Sequence, residues 1–385
     1  MTDEQAKTLA AFTLKLNGLG IKATFSRLET GPVVTTYHFK LGHSVPISKI
    51  IKKSEDFALS CEAEKVTIQR IGGEIVIFVP NKERKLVDFA ECLQWICTNE
   101  HTKSMNLPIM LGVNPVGEKV ALDLTEQPHI LMCGETGAGK SVLEAAILSA
   151  LCISCSKEKL RIILVDTKQL DLPLFSKLPH IEETITNVRS FHKAFSKLLG
   201  LVRRRMETLK GASVRNITEY HALGYEMPYY VVMIDELADL IDQDYFMRKS
   251  SDEFEEIPTV KAWIKQLTQI CRAAGVHIIA CTQRSSVKIV DGDIKVNLPC
   301  RIALRLPTGF DSRTILGSEG AETLLGKGDM LVQMPNSEVV KRFHGPFVDL
   351  GHIAYVINEH EQVRIMFEKL ESENLKGIKN GTFIN

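Results

Sequence analysis

The feature that most constrains this 385-residue chain is an eight-residue loop set between an apolar run and a helix-forming run. HILMC (129–133) is nearly all apolar, and SVLEAAILSALC begins at Ser141. Between them, Gly134, Glu135, Thr136, Gly137, Ala138, Gly139, Lys140 and Ser141 fit the spacing G-x-x-x-x-G-K-[ST] at every fixed position. Glycines let the backbone curl so that successive N–H groups surround a phosphate chain. The helix that follows turns its positive end to the same point. Residues 134–142, ending at Val142, are therefore expected to hold a nucleoside triphosphate, with Lys140 on its outer phosphates and the Ser141 hydroxyl on Mg²⁺.

The surrounding pattern supplies the fold that such a loop needs. RIILVD (161–166), YYVVMID (229–235), VHIIAC (276–281) and RIALRL (301–306) are short, β-branched and mostly apolar, as strands buried on both faces must be. Helices are predicted between them, beginning near Lys140, Val188 and Ala262. Residues 126–350 are thus expected to form a doubly wound α/β domain with a mostly parallel sheet. Residues 1–125 read as a smaller α+β region. It has a helix at 4–18, a strand at 31–41, a hairpin of VTIQRI and EIVIFV turning at Gly72 and Gly73, and a helix at 85–97. Residues 351–385 are predicted to hold one helix, at 355–371, and a polar tail.

Three further constellations fall at the carboxyl ends of predicted strands, where such sheets bind ligands. Asp235 and Glu236 close YYVVMID: Asp235 is placed to hold Mg²⁺ and Glu236 to polarise an attacking water as general base. A separate base points to hydrolysis rather than transfer to another substrate. Thr282-Gln283-Arg284 follows VHIIAC, and Gln283 is placed to sense the γ-phosphate or orient water. Asp166-Thr167-Lys168 ends another strand and is expected to line the same crevice.

Composition excludes several classes. The chain is 44% hydrophobic and 24% charged, as globular chains are, and no run of about 18 apolar residues encodes a membrane span. The N-terminus lacks a basic region followed by an apolar core, and nine cysteines sit mostly in apolar stretches, so reduced thiols in a cytoplasmic location are expected. Cys152 and Cys155 make a single C-x-x-C within a predicted helix, which reads as core rather than metal site. Arg203, Arg204 and Arg205 read as a solvated helical face, and His277 as a core histidine.

HILMCGETGAGKS, RIILVDTK, YYVVMIDELADL, RAAGVHIIACTQR, LPCRIALRL, DSRTILGSEGAETLLGKGDML and RFHGPFV, in this order, resemble the motor of FtsK/SpoIIIE-type DNA translocases. GIKATFSRLETGPVVTTYHF, VPNKERKLV and LPIMLGVNPVGEKVALDL resemble the α subdomain that precedes the RecA-like core in that family. The resemblance covers roughly residues 5–350. It implies a ring, hexameric by expectation, that hydrolyses ATP and pumps double-stranded DNA through its channel. It also places Arg301 where the family has an arginine finger reaching a neighbouring subunit's ATP. Arg313, Lys341 and Arg342 fall where channel loops touch the DNA backbone. The family's membrane domain, long linker and γ domain have no counterpart in these 385 residues, so either a mobile-element or phage motor or a piece of a longer chain is expected. The alternatives are a ring ATPase for type VII-like protein secretion, or for DNA packaging or conjugative transfer. A protein partner of the C-terminal tail stays unknown.

Charge patterning is compatible with a polyanion. Lys and Arg number 47, as do Asp and Glu, but the average hides blocks. Residues 157–215 hold 13 basic and 6 acidic residues, while residues 226–256, around the expected Mg²⁺-binding strand, hold 2 basic and 10 acidic. Zero net charge thus does not exclude DNA gripped through a few placed cations.

Overall fold

The computed structural model describes residues 1–42, 48–250, 254–335, 337 and 339–358. It contains two sheets. The smaller is antiparallel and comprises β1 (Ala23–Thr30), β2 (Val34–Leu41), β3 (Thr67–Ile71) and β4 (Glu74–Pro80), in the order β1-β2-β4-β3. β3 and β4 form the hairpin predicted from the Gly72-Gly73 turn. Helix Asp3–Gly18, opened by a Thr2/Gln5 capping box, lays Phe12 and Leu16 on this sheet against Tyr37, Phe39, Ile75 and Ile77.

The larger sheet has ten strands. These are β5 (Pro108–Val113), β6 (Lys119–Asp123), β7 (His129–Cys133), β8 (Leu160–Val165), β9 (Ile181–Ile185), β10 (Tyr229–Ile234), β11 (Val276–Thr282), β12 (Cys300–Leu304), β13 (Asp329–Gln333) and β14 (Val340–His344). Their order is β6-β5-β14-β13-β12-β7-β11-β10-β8-β9. The six strands from β12 to β9 are mutually parallel, and the four at the other edge pair antiparallel. The mostly parallel sheet is therefore as expected. The expected boundary at residue 125 does not coincide with a sheet boundary. The small sheet closes at Pro80, and β5 and β6 complete the edge of the large one.

Side chains alternate across each central strand, so each strand feeds two cores. Ile130, Met132, Ile162, Leu164, Val231 and Met233 pack with Leu143, Ile147 and Leu151 of helix Lys140–Ser154. Leu131, Cys133, Ile163, Val165, Val232 and Ile234 pack with helices Val188–Gly211 and Val260–Ile270 on the opposite face. Both of those helices start on a side-chain cap, from Asn187 and Thr259 respectively. Arg203 and Arg204 are exposed, as expected of a solvated face, but Arg205 is buried. Its guanidinium donates to the Ala274 carbonyl at 2.8 Å and lies 4.9 Å from the centre of the Tyr230 ring, because it points to the side of the helix that faces the sheet. The predicted tail helix is seen only over 350–358; the rest of the expected 355–371 span lies outside the described residues.

All nine cysteines are free thiols, and Cys152 and Cys155 are core residues. Burial pushes Cys155 up to about 11 and Cys271 and Cys300 up to about 12. The thiolate is the nucleophile, so these groups are unreactive. Iodoacetamide labelling of the native chain, read by peptide mass spectrometry, is expected to reach the partly exposed Cys61 ahead of the seven buried thiols. Labelling of Cys152 or Cys155 at the unfolded rate would contradict this packing.

Candidate nucleotide site

The loop Gly134–Lys140 lies at the carboxyl end of β7, flanked by the ends of β11 and β12. The Gly134 N–H donates to the Thr282 carbonyl at 3.3 Å and the Glu135 N–H to the Arg305 carbonyl at 2.9 Å. Both neighbouring strand ends thus hold the loop. Gly139 has a φ of 104°, and a Cβ there would stand 2.5 Å from the Gly328 nitrogen, so only glycine fits. Helix Lys140–Ser154 then starts with its free N–H groups directed into the loop.

Lys140 is only 4% exposed. Its ammonium donates to both Glu144 oxygens at 3.1 and 3.2 Å and to the Asp235 carbonyl at 3.0 Å, and forms a short ion pair with the Asp235 carboxylate. Burial alone would lower the ammonium's pKa, but Glu144 and Asp235 hold it above its ordinary value. Burial also pushes the Glu144 carboxyl up to about 8 against the pull of Lys140. Asp235 and Glu236 close β10 and are 5% and 4% exposed. One Glu236 oxygen accepts from the Thr282 hydroxyl at 2.6 Å and from the Ala238 N–H at 3.2 Å. The other accepts from the Gln283 N–H at 2.9 Å. The exposed Gln283 side chain reaches the Thr136 hydroxyl in the phosphate loop at 3.1 Å. The fold therefore gathers residues 134–142, Asp235, Glu236 and Gln283 at one point of the sheet edge.

Four further residues complete this point, and of these only Thr282 was singled out in the sequence. Glu144 left a signal: with Lys140 it is the only charged residue of helix Lys140–Ser154, four positions on. Asp171 accepts from the Ser141 hydroxyl at 2.6 Å. Arg305 pairs with Glu135 at the mouth of the loop. Thr282 orients Glu236. Asp166 plays a different part from the one expected. It is fully buried and accepts from the backbone N–H groups of Lys168, Gln169, Leu170 and Leu172, so it shapes the loop that presents Asp171 instead of lining the crevice. Ser141, Asp235 and Asp171 offer a hydroxyl and two carboxylates, hard oxygen donors that fit Mg²⁺.

The other expected site residues lie elsewhere. Arg301 sits near the start of β12, opposite Leu131, two register positions before the pair that ends β7. Its guanidinium donates to the Ile315 carbonyl at 3.1 Å and lines a surface groove with Pro299, Gly317 and Met334, away from this chain's own phosphate loop. Arg313 is half exposed and paired with Glu319, and Lys341 is exposed on β14. Arg342 does not fit the expected contact with DNA. Neighbouring strand residues point to opposite faces, so beside the outward Lys341 it turns inward. It is 5% exposed and forms a two-bond ion pair with Asp329, at 2.9 and 2.6 Å.

Comparison with known proteins agrees with this architecture. Residues 97–287 match the sequence model of the FtsK/SpoIIIE family, and residues 1–81 that of the FtsK alpha domain. The chain is 34% identical over 381 residues to the DNA translocase FtsK of Rickettsia prowazekii, covering 89% of this chain and 49% of that protein. It is 36% identical over 355 residues to that of Streptococcus pneumoniae, covering 88% and 44%. The chain thus spans less than half the length of these relatives. Among solved structures, the conjugation coupling protein TcpA of pCW3 superposes with a TM-score of 0.63 at 23% identity, covering 94% of this chain and 100% of that one. The type VII secretion ATPase EccC of Thermomonospora curvata does so at 0.58 and 22%, covering 72% and 34%. These two likenesses carry the fold alone. With an FtsK alpha-domain match, an FtsK/SpoIIIE match and curated relatives at 33–36% identity, the chain is a member of the FtsK/SpoIIIE family.

Proposed function

We propose that this chain is an ATP-driven double-stranded DNA translocase that works as a ring, hexameric by expectation, with DNA in its central channel. The observation that carries the ATPase half is the convergence of Lys140, Asp235, Glu236 and Gln283 on the phosphate loop. The DNA half is supported by the relatives that bear the name DNA translocase. In this reading the backbone of 134–142 and Lys140 bind the phosphates, and Lys140 leaves Asp235 to do so. Ser141 and Asp235, with Asp171 beside them, hold Mg²⁺, which neutralises charge on the phosphates. Glu236 takes a proton from the attacking water, oriented by Gln283. Arg301, which lines the groove with Pro299, Gly317 and Met334, serves a neighbouring subunit's nucleotide. Lys341 and Arg313 are the proposed contacts to the DNA backbone. The buried thiols and the absence, among the described residues, of any helix long and apolar enough to cross a membrane are compatible with a cytoplasmic setting.

The test is the ATPase rate with and without linear duplex DNA at two salt concentrations. Stimulation by DNA that weakens as salt rises is expected, because phosphate contacts release counterions. A rate indifferent to DNA would instead favour the protein-secretion reading. Replacing Lys341 and Arg313 together by Ala is expected to lower the DNA-stimulated rate several-fold and leave the basal rate unchanged. Equal loss of both would remove these residues from the DNA contact.

A further inference from the structure

Arg342 is buried in a place that joins the nucleotide loop to the N-terminal sheet. Its partner Asp329 opens β13 and also accepts from the Leu325 N–H at 2.8 Å. Between them, Gly326, Lys327 and Gly328 all have positive φ, at 77°, 50° and 95°. This tight strap runs across the phosphate loop: the Gly328 N–H donates to the Ala138 carbonyl at 2.9 Å, at the close approach that excludes a Cβ from Gly139. The strap is fixed from behind, where the Gly345 N–H donates to the Gly328 carbonyl at 2.8 Å.

The other side of the same strap touches the small sheet. Leu325 packs into a cluster of Val33, Val34, Val76 and Phe78, and the Arg342 guanidinium lies 5.0 Å from the centre of the Phe78 ring. One nitrogen of that guanidinium, Nη1, has no hydrogen-bond partner, so the positive group depends on the ring as well as on Asp329. Just before the strap, the Thr323 hydroxyl donates to the Thr67 hydroxyl of β3 at 2.9 Å. On the far edge, Gly31 meets the Pro115 carbonyl so closely that a Cβ would stand 1.9 Å from it. Among the described residues, the strap thus touches both the N-terminal sheet and the phosphate loop.

We propose that Arg342 is a positioning residue that couples the nucleotide loop to the N-terminal subdomain, acting through Asp329 and the 325–328 strap on one side and Phe78 on the other. A nucleotide that reshapes residues 137–139 must move or stiffen the strap, because the Ala138–Gly328 bond and the Gly139 contact leave no slack. The fork of Arg342 passes that change to β4. This rests on the proposed nucleotide site but not on which polymer the motor moves.

The experiment is hydrogen exchange with and without ATPγS and Mg²⁺, on the full chain and on Phe78→Leu and Arg342→Lys. Phe78→Leu keeps apolar volume and removes the ring. Arg342→Lys keeps the charge and removes the planar fork. In the unsubstituted chain, nucleotide is expected to slow exchange at 325–328 and at 76–78 by a factor of about five or more. In both variants the nucleotide affinity should stay within about twofold and protection at 325–328 should persist, while nucleotide-dependent protection at 76–78 disappears. Protection at 76–78 that survives in Phe78→Leu overturns the coupling, as does an unsubstituted chain that binds ATPγS with no change there. A chain that fails to bind ATPγS at all would instead refute the nucleotide site.

Discussion

Replacing Glu236 by Gln is expected to lower ATP turnover by a factor of about 10²–10⁴, the range for loss of a general base, while ATP still binds and the fold is kept. The structure explains why the substitution is a clean one. In the native site both carboxylate oxygens accept hydrogen bonds, from the Thr282 hydroxyl, the Ala238 N–H and the Gln283 N–H. A glutamine can turn its carbonyl oxygen to the Gln283 N–H, which can only donate. Its NH₂ then faces Thr282, whose hydroxyl can accept and redirect its own proton to the Arg284 carbonyl, now 3.4 Å away. Only the longest of the three bonds, from Ala238, is lost. The amide cannot take a proton from water, so chemistry stops where binding does not. Steady-state turnover together with equilibrium ATP binding checks this. A variant with normal turnover would remove Glu236 from the reaction, and one that no longer bound ATP would make it a structural residue.

The central strands and the phosphate loop were legible in the sequence because their constraints are local. A strand buried on both faces has to be an unbroken apolar run, and HILMC, RIILVD and YYVVMID each became a parallel strand with the expected acids or glycines at its end. What was missed depends on contacts between distant segments. β13 and β14 carry polar residues and gave no buried-strand signal, yet they extend the sheet because Asp329 and Arg342 neutralise each other across the pair. A lone arginine in a sequence does not declare whether a carboxylate waits for it in the core. That is why Arg342 was expected on a DNA-facing loop and Arg205 in solvent. Asp171 is likewise invisible locally: it gains its place at Ser141 only because Asp166 folds the intervening loop around its own carboxylate.

Replacing Lys140 by Met is expected to remove ATP binding and also to destabilise the chain by about 3–5 kcal/mol, the usual cost of leaving a buried charge without its partner. Here the ammonium is buried among Glu144 and Asp235, themselves 1% and 5% exposed. Its loss leaves the Asp235 carboxylate with no cation, and the Glu144 carboxyl with none wherever the pH is high enough to ionise it. The pH dependence follows from Glu144. Burial already pushes its carboxyl up to about 8 in the presence of Lys140, and without that cation it rises further. An acid whose pKa is higher folded than unfolded binds more protons in the folded state between those two values, so stability falls as pH rises through that window. The Lys140→Met chain is therefore expected to lose most stability at pH 8.5 and least near pH 5, in denaturant unfolding followed by circular dichroism. Adding Glu144→Leu removes one of the two stranded carboxylates and fills its space with apolar volume, beside Leu143, Ile147 and Leu148. The double variant should regain more than half of the lost stability and lose its dependence on pH above 6, yet still not bind ATP. If the double variant is no more stable than Lys140→Met alone, the Lys140–Glu144 pair is not what holds this end of the helix. If it regains ATP binding, Lys140 does not reach the phosphates.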